Sequence, residues 1–333
     1  MALDLKDAKD ILKHTSILWY TNIFLIPYLQ TFDAEQRYRT TMSQKILITG
    51  VSGHLGSGVL DHLLKNHKAE NLIAMARDPK KIERYAAKGV SIRQGDFNDP
   101  TSLDKAFADV HTLLVIPTVE IGPQRFAQAK NAVDAAKRAG VQHILYTGVI
   151  HHDEEGHGNI VKDHQDAEKY IAVSGIPHTF IRNGLYLDVV PMLLGNATES
   201  GSFFYPAAPN GVSFALRADL AEAAANIITT PGLHGKAHSL GLPQALTYPA
   251  IAKAVSDIIG KPVEYAPVAL GDYKSGLLQH GLPEPLATLY TDMARAMGEG
   301  VIREPSNSLK DILGREPVGA ETYLQTALQP AAA

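Results

Sequence analysis

The chain of 333 residues contains no cysteine. That absence excludes disulfides, thiolate nucleophiles, iron–sulfur clusters and cysteine-bound zinc, and leaves histidine, carboxylates, hydroxyls or a bound cofactor to carry any chemistry. A surplus of positive charge is also missing. The 31 Lys and Arg face 35 Asp and Glu, a net charge of -4, which argues against nucleic acid or an anionic membrane as a main partner. Long apolar runs are missing too. The nearest, residues 16–29 (SILWYTNIFLIPYL), holds Thr21, Asn22 and Pro27 and falls short of the roughly 20 apolar residues of a spanning helix. The aspartates ahead of it, Asp4, Asp7 and Asp10, fit neither a secretory signal nor a transit peptide. Residues 1–42 are therefore expected to be an extension outside the main fold, with a functional start at Met42, and the protein is expected in the cytoplasm. What is present, 45% hydrophobic and 20% charged residues, suits one large or two moderate globular domains.

From Gln44 the pattern changes. Lys45, Ile46, Leu47, Ile48 and Thr49 form a β-branched run that meets Gly50, Val51, Ser52, Gly53, His54, Leu55 and Gly56. Apolar residues at helical spacing follow, Val59, Leu60, Leu63 and Leu64. In a strand–turn–helix unit of this kind, Gly50 permits the tight turn and Gly53 a close approach of backbone to a pyrophosphate. Gly56 allows close packing of helix on strand, and the helix start offers unpaired N–H groups and the positive end of its dipole. Further strands are predicted over 72–76, 90–94, 112–116, 142–147 and 178–181, separated by helices over 79–87, 100–107, 124–138 and 161–173. Apolar strands joined by helical crossovers predict a Rossmann-type, doubly wound parallel α/β sheet over residues 43–185. Residues 212–240 are expected to return to it, and residues 186–330 to form a smaller, mostly helical substrate lobe.

A ligand of such a sheet lies outside the carboxyl ends of its strands, where the Gly50 turn, Arg77, Asp96, Pro117, Thr118 and Thr147 fall. A carboxylate at the end of the second strand holds a free ribose 2'-hydroxyl, but this strand ends in Met75, Ala76 and Arg77. A guanidinium there can bind a 2'-phosphate through two hydrogen bonds, which favours NADP(H) over NAD(H). Asp96 can accept from the adenine amine while Phe97 offers an apolar face; Asp96 and Asn98 can equally be turn formers.

The segments TGVSGHLG, AMARDP, GDFNDPTSL, LLVIPT, AGVQHILYTG, the helix from His164 to Glu168 and SGIPHTFIRNGLY resemble, in order, the NmrA-like branch of atypical short-chain dehydrogenases. Within that branch the chain looks most like the type 2 NAD(P)H:quinone oxidoreductases and the triphenylmethane reductases. The likeness covers nearly all of residues 45–328 and leaves residues 1–41 outside it.

Carbonyl-reducing relatives of this branch carry Tyr-x-x-x-Lys on the helix after the fifth strand. Matched from Glu168, this chain has Ile160 at the Tyr position and His164 at the Lys position. An unactivated ketone leaves a basic alkoxide and needs a positioned acid. A quinone or cationic dye leaves a weakly basic or neutral product and needs chiefly orientation beside the cofactor. The missing pair therefore points to hydride transfer onto an electron-poor aromatic acceptor. His164 and Glu168, four apart on one helix face, form a candidate catalytic pair in which Glu168 sets the tautomer of His164. Asn183 and Gly184 can hydrogen-bond a carbonyl, Tyr186 can stack on a flat ring, and His151 or His152 can reach substrate from a flap over residues 151–157. That flap has metal-ligand residue types without metal-ligand spacing, so no metal is expected. Leu277, Leu278, Leu286 and Tyr290 are candidates for the lid's apolar wall.

The expected ligands are thus NADP(H) and a small aromatic substrate, with a homodimer as the protein assembly allowed for. Two other functions fit the same residues: an NmrA-like redox-sensing regulator with little catalysis, and a pathway-specific reductase of a natural-product imine or enone.

Overall fold

The computed structural model describes residues 44–151 and 158–328. The expected N-terminal extension and His152 lie outside these residues. Seven parallel strands form one sheet in the order β10-β6-β5-β4-β1-β2-β3. They are β1 (Ile46–Ile48), β2 (Leu72–Ala76), β3 (Ser91–Gln94), β4 (Thr112–Val115), β5 (His143–Val149), β6 (His178–Asn183) and β10 (Ala237–Leu240). β1 lies between β2 and β4, Ile46 facing both Leu72 and Thr112 in register.

Period-two alternation sends successive strand residues to opposite faces. Ile48, Leu72, Ala74, Leu114, Leu145 and Ile181 pack on one side with the helices His54–Asn66 and Arg217–Thr229. Leu47, Ile73, Met75, Leu113, Ile144 and Tyr146 pack on the other with the helices Pro100–Ala106, Pro123–Ala139 and Gly158–Val173. Burial on both faces is why these strands read as continuous apolar runs. Each fully buried Leu or Ile stabilises the sheet by roughly 1.5–3 kcal/mol.

Beyond Tyr186 the chain holds a second core. It is built around Phe203, Tyr205, Tyr248 and Tyr265, with the Phe203 and Tyr248 rings edge-on at 5.8 Å. This region is mostly helical, as expected, and it also holds strands. Two parallel strand pairs are present, β7 (Leu185–Tyr186) with β9 (Phe214–Ala215), and β8 (Ser202–Pro206) with β11 (Glu264–Val268). They are too short, and the second pair too proline-interrupted, to give a strand signal. The last helix of the lobe is Ala320–Leu328. The helices of the lobe include Tyr248–Ile259 and Ser308–Leu313. Leu278 and Leu286, candidates for a lid wall, are exposed at the surface. No helix among the described residues is long and apolar enough to cross a membrane.

Candidate cofactor cleft and active site

A cleft of about 340 Å³ opens at the carboxyl ends of β1, β2, β3 and β4. Its floor is the turn from Gly50 to Gly56. Gly50 has φ +66°, a conformation that costs a side chain strain, and a Cβ at Gly56 would lie 2.5 Å from the Gly50 carbonyl oxygen. Gly53 caps the helix His54–Asn66 with no side-chain acceptor, so the first N–H groups of that helix face the cleft. Ser52, His54 and Leu55 line it as well, whereas Val51 is buried in the core below.

Arg77 lies at one end of the cleft, exposed, and its guanidinium makes no hydrogen bond or ion pair among the described residues. Asp96 lines the cleft and also accepts from the Asn98 amide at 2.9 Å, so its carboxylate holds the turn and keeps one oxygen for a ligand. Phe97 lines the cleft but is only 7% exposed, packed into the core cluster that holds Leu103 and Phe107. Pro117 and Thr118 form the wall opposite the glycine turn. Thr118 hydrogen-bonds Gln128, which donates to Asn98 at 3.1 Å.

At the other end Tyr186 and Arg217 close the cleft, the guanidinium 4.4 Å above the ring centre. Arg217 is held by Asp188, whose carboxylate accepts from the Arg217 backbone N–H at 2.9 Å and faces its guanidinium at 3.9 Å. Asn183 is buried beside them, and its Oδ1 has no hydrogen-bond partner among the described residues. Gly184 is pressed against backbone, where a Cβ would sit 2.7 Å from the Ser213 carbonyl oxygen. Thr147, expected at the cofactor, is buried and donates to the Val115 carbonyl instead of lining the cleft.

The histidines are arranged differently from the spacing argument. Glu168 does not pair with His164. It forks onto Arg182 of β6, with 2.7 Å to the nearer guanidinium nitrogen, and faces His151 at 3.5 Å. His151 is itself buried at the end of β5. His164 stands between Arg125 at 2.9 Å from Nε2 and Tyr146 at 2.9 Å from Nδ1. Arg125 can only donate, so Nε2 accepts and Nδ1 carries the proton, a tautomer assigned from this network. Burial, together with the Arg125 charge, brings the His164 pKa down to about 3. With both ring nitrogens engaged, donation from His164 to a substrate would require breaking one of these bonds. Asp163 completes the cluster, accepting from the Gly122 amide at 2.9 Å and pairing with Arg125 at 3.3 Å.

The sequence did not point to Arg217, Glu120, Gln128 or Met75 as cleft residues. Arg217 reaches the cleft only because β9 pairs with β7, a tertiary event without a local signature.

The model of the NmrA-like family matches residues 42–323. The chain belongs to the NmrA-like family. Quinone oxidoreductase 2 of Escherichia coli (strain K12) is 35% identical over 269 residues, which span 81% of this NmrA-like chain and 93% of that protein. The crystal structure of the NADPH-dependent quinone oxidoreductase from Escherichia coli complexed with NADPH matches with a TM-score of 0.81 at 32% identity, covering 85% of this chain and 100% of that one. Triphenylmethane reductase of Citrobacter sp. complexed with NADP(H) matches with a TM-score of 0.79 at 35% identity, again covering 85% and 100%.

Proposed function

We propose that this NmrA-like protein is an NADPH-dependent oxidoreductase that reduces a quinone or a similar electron-poor aromatic acceptor. The observation that carries this reading is one cleft holding, from end to end, an unpartnered arginine, a glycine-walled helix start and a tyrosine roofed by a second arginine. The donor set suits a dinucleotide carrying a 2'-phosphate. Arg77 would hold that phosphate, the N–H groups at residues 53–56 the pyrophosphate, and Asp96 and Phe97 the adenine. Pro117 and Thr118 would wall the middle, and Asn183, Gly184 and Tyr186 would frame the reacting end. Bound NADPH supplies the two electrons and hydrogen that the chain's own side chains cannot. The likeness to a quinone reductase and a dye reductase supports the acceptor class, as does Ile160 in place of a catalytic tyrosine. Electron-poor rings demand orientation before acid, and a flat pocket wall provides it.

Consumption of NADPH with benzoquinones, naphthoquinones and triarylmethane dyes tests the reading. Turnover with at least one class is expected. Tight NADPH binding without turnover of any of them would refute it and favour a dinucleotide sensor.

A further inference from the structure

The NmrA-like chain lacks the tyrosine–lysine pair of the carbonyl reductases, yet the cleft contains a tyrosine beside a fixed cation. Tyr186 follows β6, and Arg217 follows β9; the β7–β9 pairing brings them together, with the guanidinium 4.4 Å above the ring. We propose that Tyr186 is the proton donor to the reduced acceptor and that Arg217 and Asn183 are its positioning residues, a tyrosine–arginine pair rebuilt from separate elements. The proposal rests on the quinone-reductase reading and adds a catalytic residue to it.

Three observations carry the assignment. Tyr186 lines the same cleft as Gly53 and Pro117, so its ring would border a ligand bound there. Asn183 is buried beside it with an acceptor oxygen that meets no donor among the described residues, as expected where a ligand O–H or N–H will sit. The competing phenol, Tyr146, is enclosed between His164 and the sheet. Burial pushes Tyr146 far above the usual phenol range and removes it from proton transfer. Burial pushes Tyr186 up as well, but there the Arg217 charge and the Asn183 side chain oppose it. The charges around Tyr186 are Arg217 at the start of its helix, Asp188 in the turn after β7, and Arg125 at the start of the helix Pro123–Ala139.

The step balances as follows. Two electrons and one hydrogen pass from bound NADPH to the quinone, which leaves a hydroquinone monoanion. Its phenolate oxygen takes the Tyr186 proton, so one O–H bond breaks and another forms, and solvent restores the tyrosine. A cationic triarylmethane dye becomes neutral on receiving the same two electrons and hydrogen and needs no proton. This difference separates acid catalysis from ring stacking.

The experiment compares wild type with Tyr186→Phe, which keeps the ring and removes the proton. Because a hydroquinone anion is a weak base, the expected loss in kcat with benzoquinone is about 10- to 100-fold, near the lower end of general-acid contributions. The loss with a cationic dye is expected to be much smaller than with benzoquinone, because the ring is kept and the dye needs no proton. Equal losses on quinone and dye, or no loss on quinone, would overturn the proposal while leaving the reductase reading intact. Absence of turnover with either acceptor in wild type would remove both. A second readout needs no cofactor. NMR of ring-labelled tyrosine, with the Tyr186 signal identified by its loss in Tyr186→Phe, should show its ionisation moving to higher pH in Arg217→Met and largely restored in Arg217→Lys. An unchanged titration in Arg217→Met would rule out the positioning role.

Discussion

At the amino ends of β4, β5, β6 and β10 each histidine already makes a hydrogen bond within the protein, whereas at the carboxyl ends of the sheet several polar groups are left waiting for a ligand. His111, His143, His178 and His234 stand at the starts of four neighbouring strands. His143 meets Thr179 at 2.9 Å, His178 the Ile176 carbonyl at 3.0 Å, and His234 the Ile227 carbonyl at 3.0 Å. At the other edge the Asn183 Oδ1 and the Arg77 guanidinium have no protein partner among the described residues. Both edges are rich in side chains that could do chemistry. The difference teaches that residue type does not mark a site; unspent hydrogen-bonding capacity in a concave place does.

The strongest way to break the contrast is to remove a group at the carboxyl edge that is already spent. Glu168 is 5% exposed and forked onto Arg182. Glu168→Ala takes away the carboxylate that neutralises this guanidinium, and removing one partner of a buried pair typically costs about 3–5 kcal/mol. Urea unfolding should show that loss; a change below about 1 kcal/mol would mean that Arg182 finds compensation and that the pair is not structural. Removing an unspent group should do the opposite, harming binding and sparing stability. Arg77→Ala is expected to weaken NADPH about 10- to 100-fold, the worth of a charge-assisted hydrogen bond, with NADH binding and the urea midpoint unchanged. Fluorescence titration with both nucleotides decides it, and equal losses for NADPH and NADH would refute the phosphate assignment.

What could be read in advance follows the same division. The glycine turn, the helix start and Arg77 lie within about 30 residues of one another in a βαβ unit, the scale on which local spacing dictates geometry. The doubly wound sheet was equally legible, because strands buried on both faces announce themselves as apolar runs. The reacting end was not. Arg217 is brought to Tyr186 by a two-residue strand pair, and Arg125 to His164 by packing of two helices. The four-residue spacing of His164 and Glu168 gave a shared helix face correctly but could not reveal that β6 offers Glu168 a stronger partner in Arg182. An arginine fork outcompetes a neutral imidazole for a buried carboxylate.

The amino edge supplies the finest test of the contrast, because burial disfavours a charge on His143. The His143 and His234 rings lie 4.4 Å apart, and no carboxylate contributes to the field at His143. Burial first, then the charges that His234, His178 and His111 would carry, bring the His143 pKa down to about 4. In the unfolded chain it returns to about 6.5. Between these values the unfolded state binds the extra proton, so stability is complete above pH 6.5 and is lost as the pH falls toward 4. The full shift would be worth about 3 kcal/mol, and the partial exposure of the ring reduces this to about 1–2 kcal/mol. His164, brought down to about 3, adds to the same trend. Urea unfolding of wild type and His143→Gln at a series of pH values should therefore converge as the pH falls from 7 to 4, the variant losing less stability than wild type. Parallel losses would show that the amino edge tolerates charge, and that His143 is not held neutral by its surroundings.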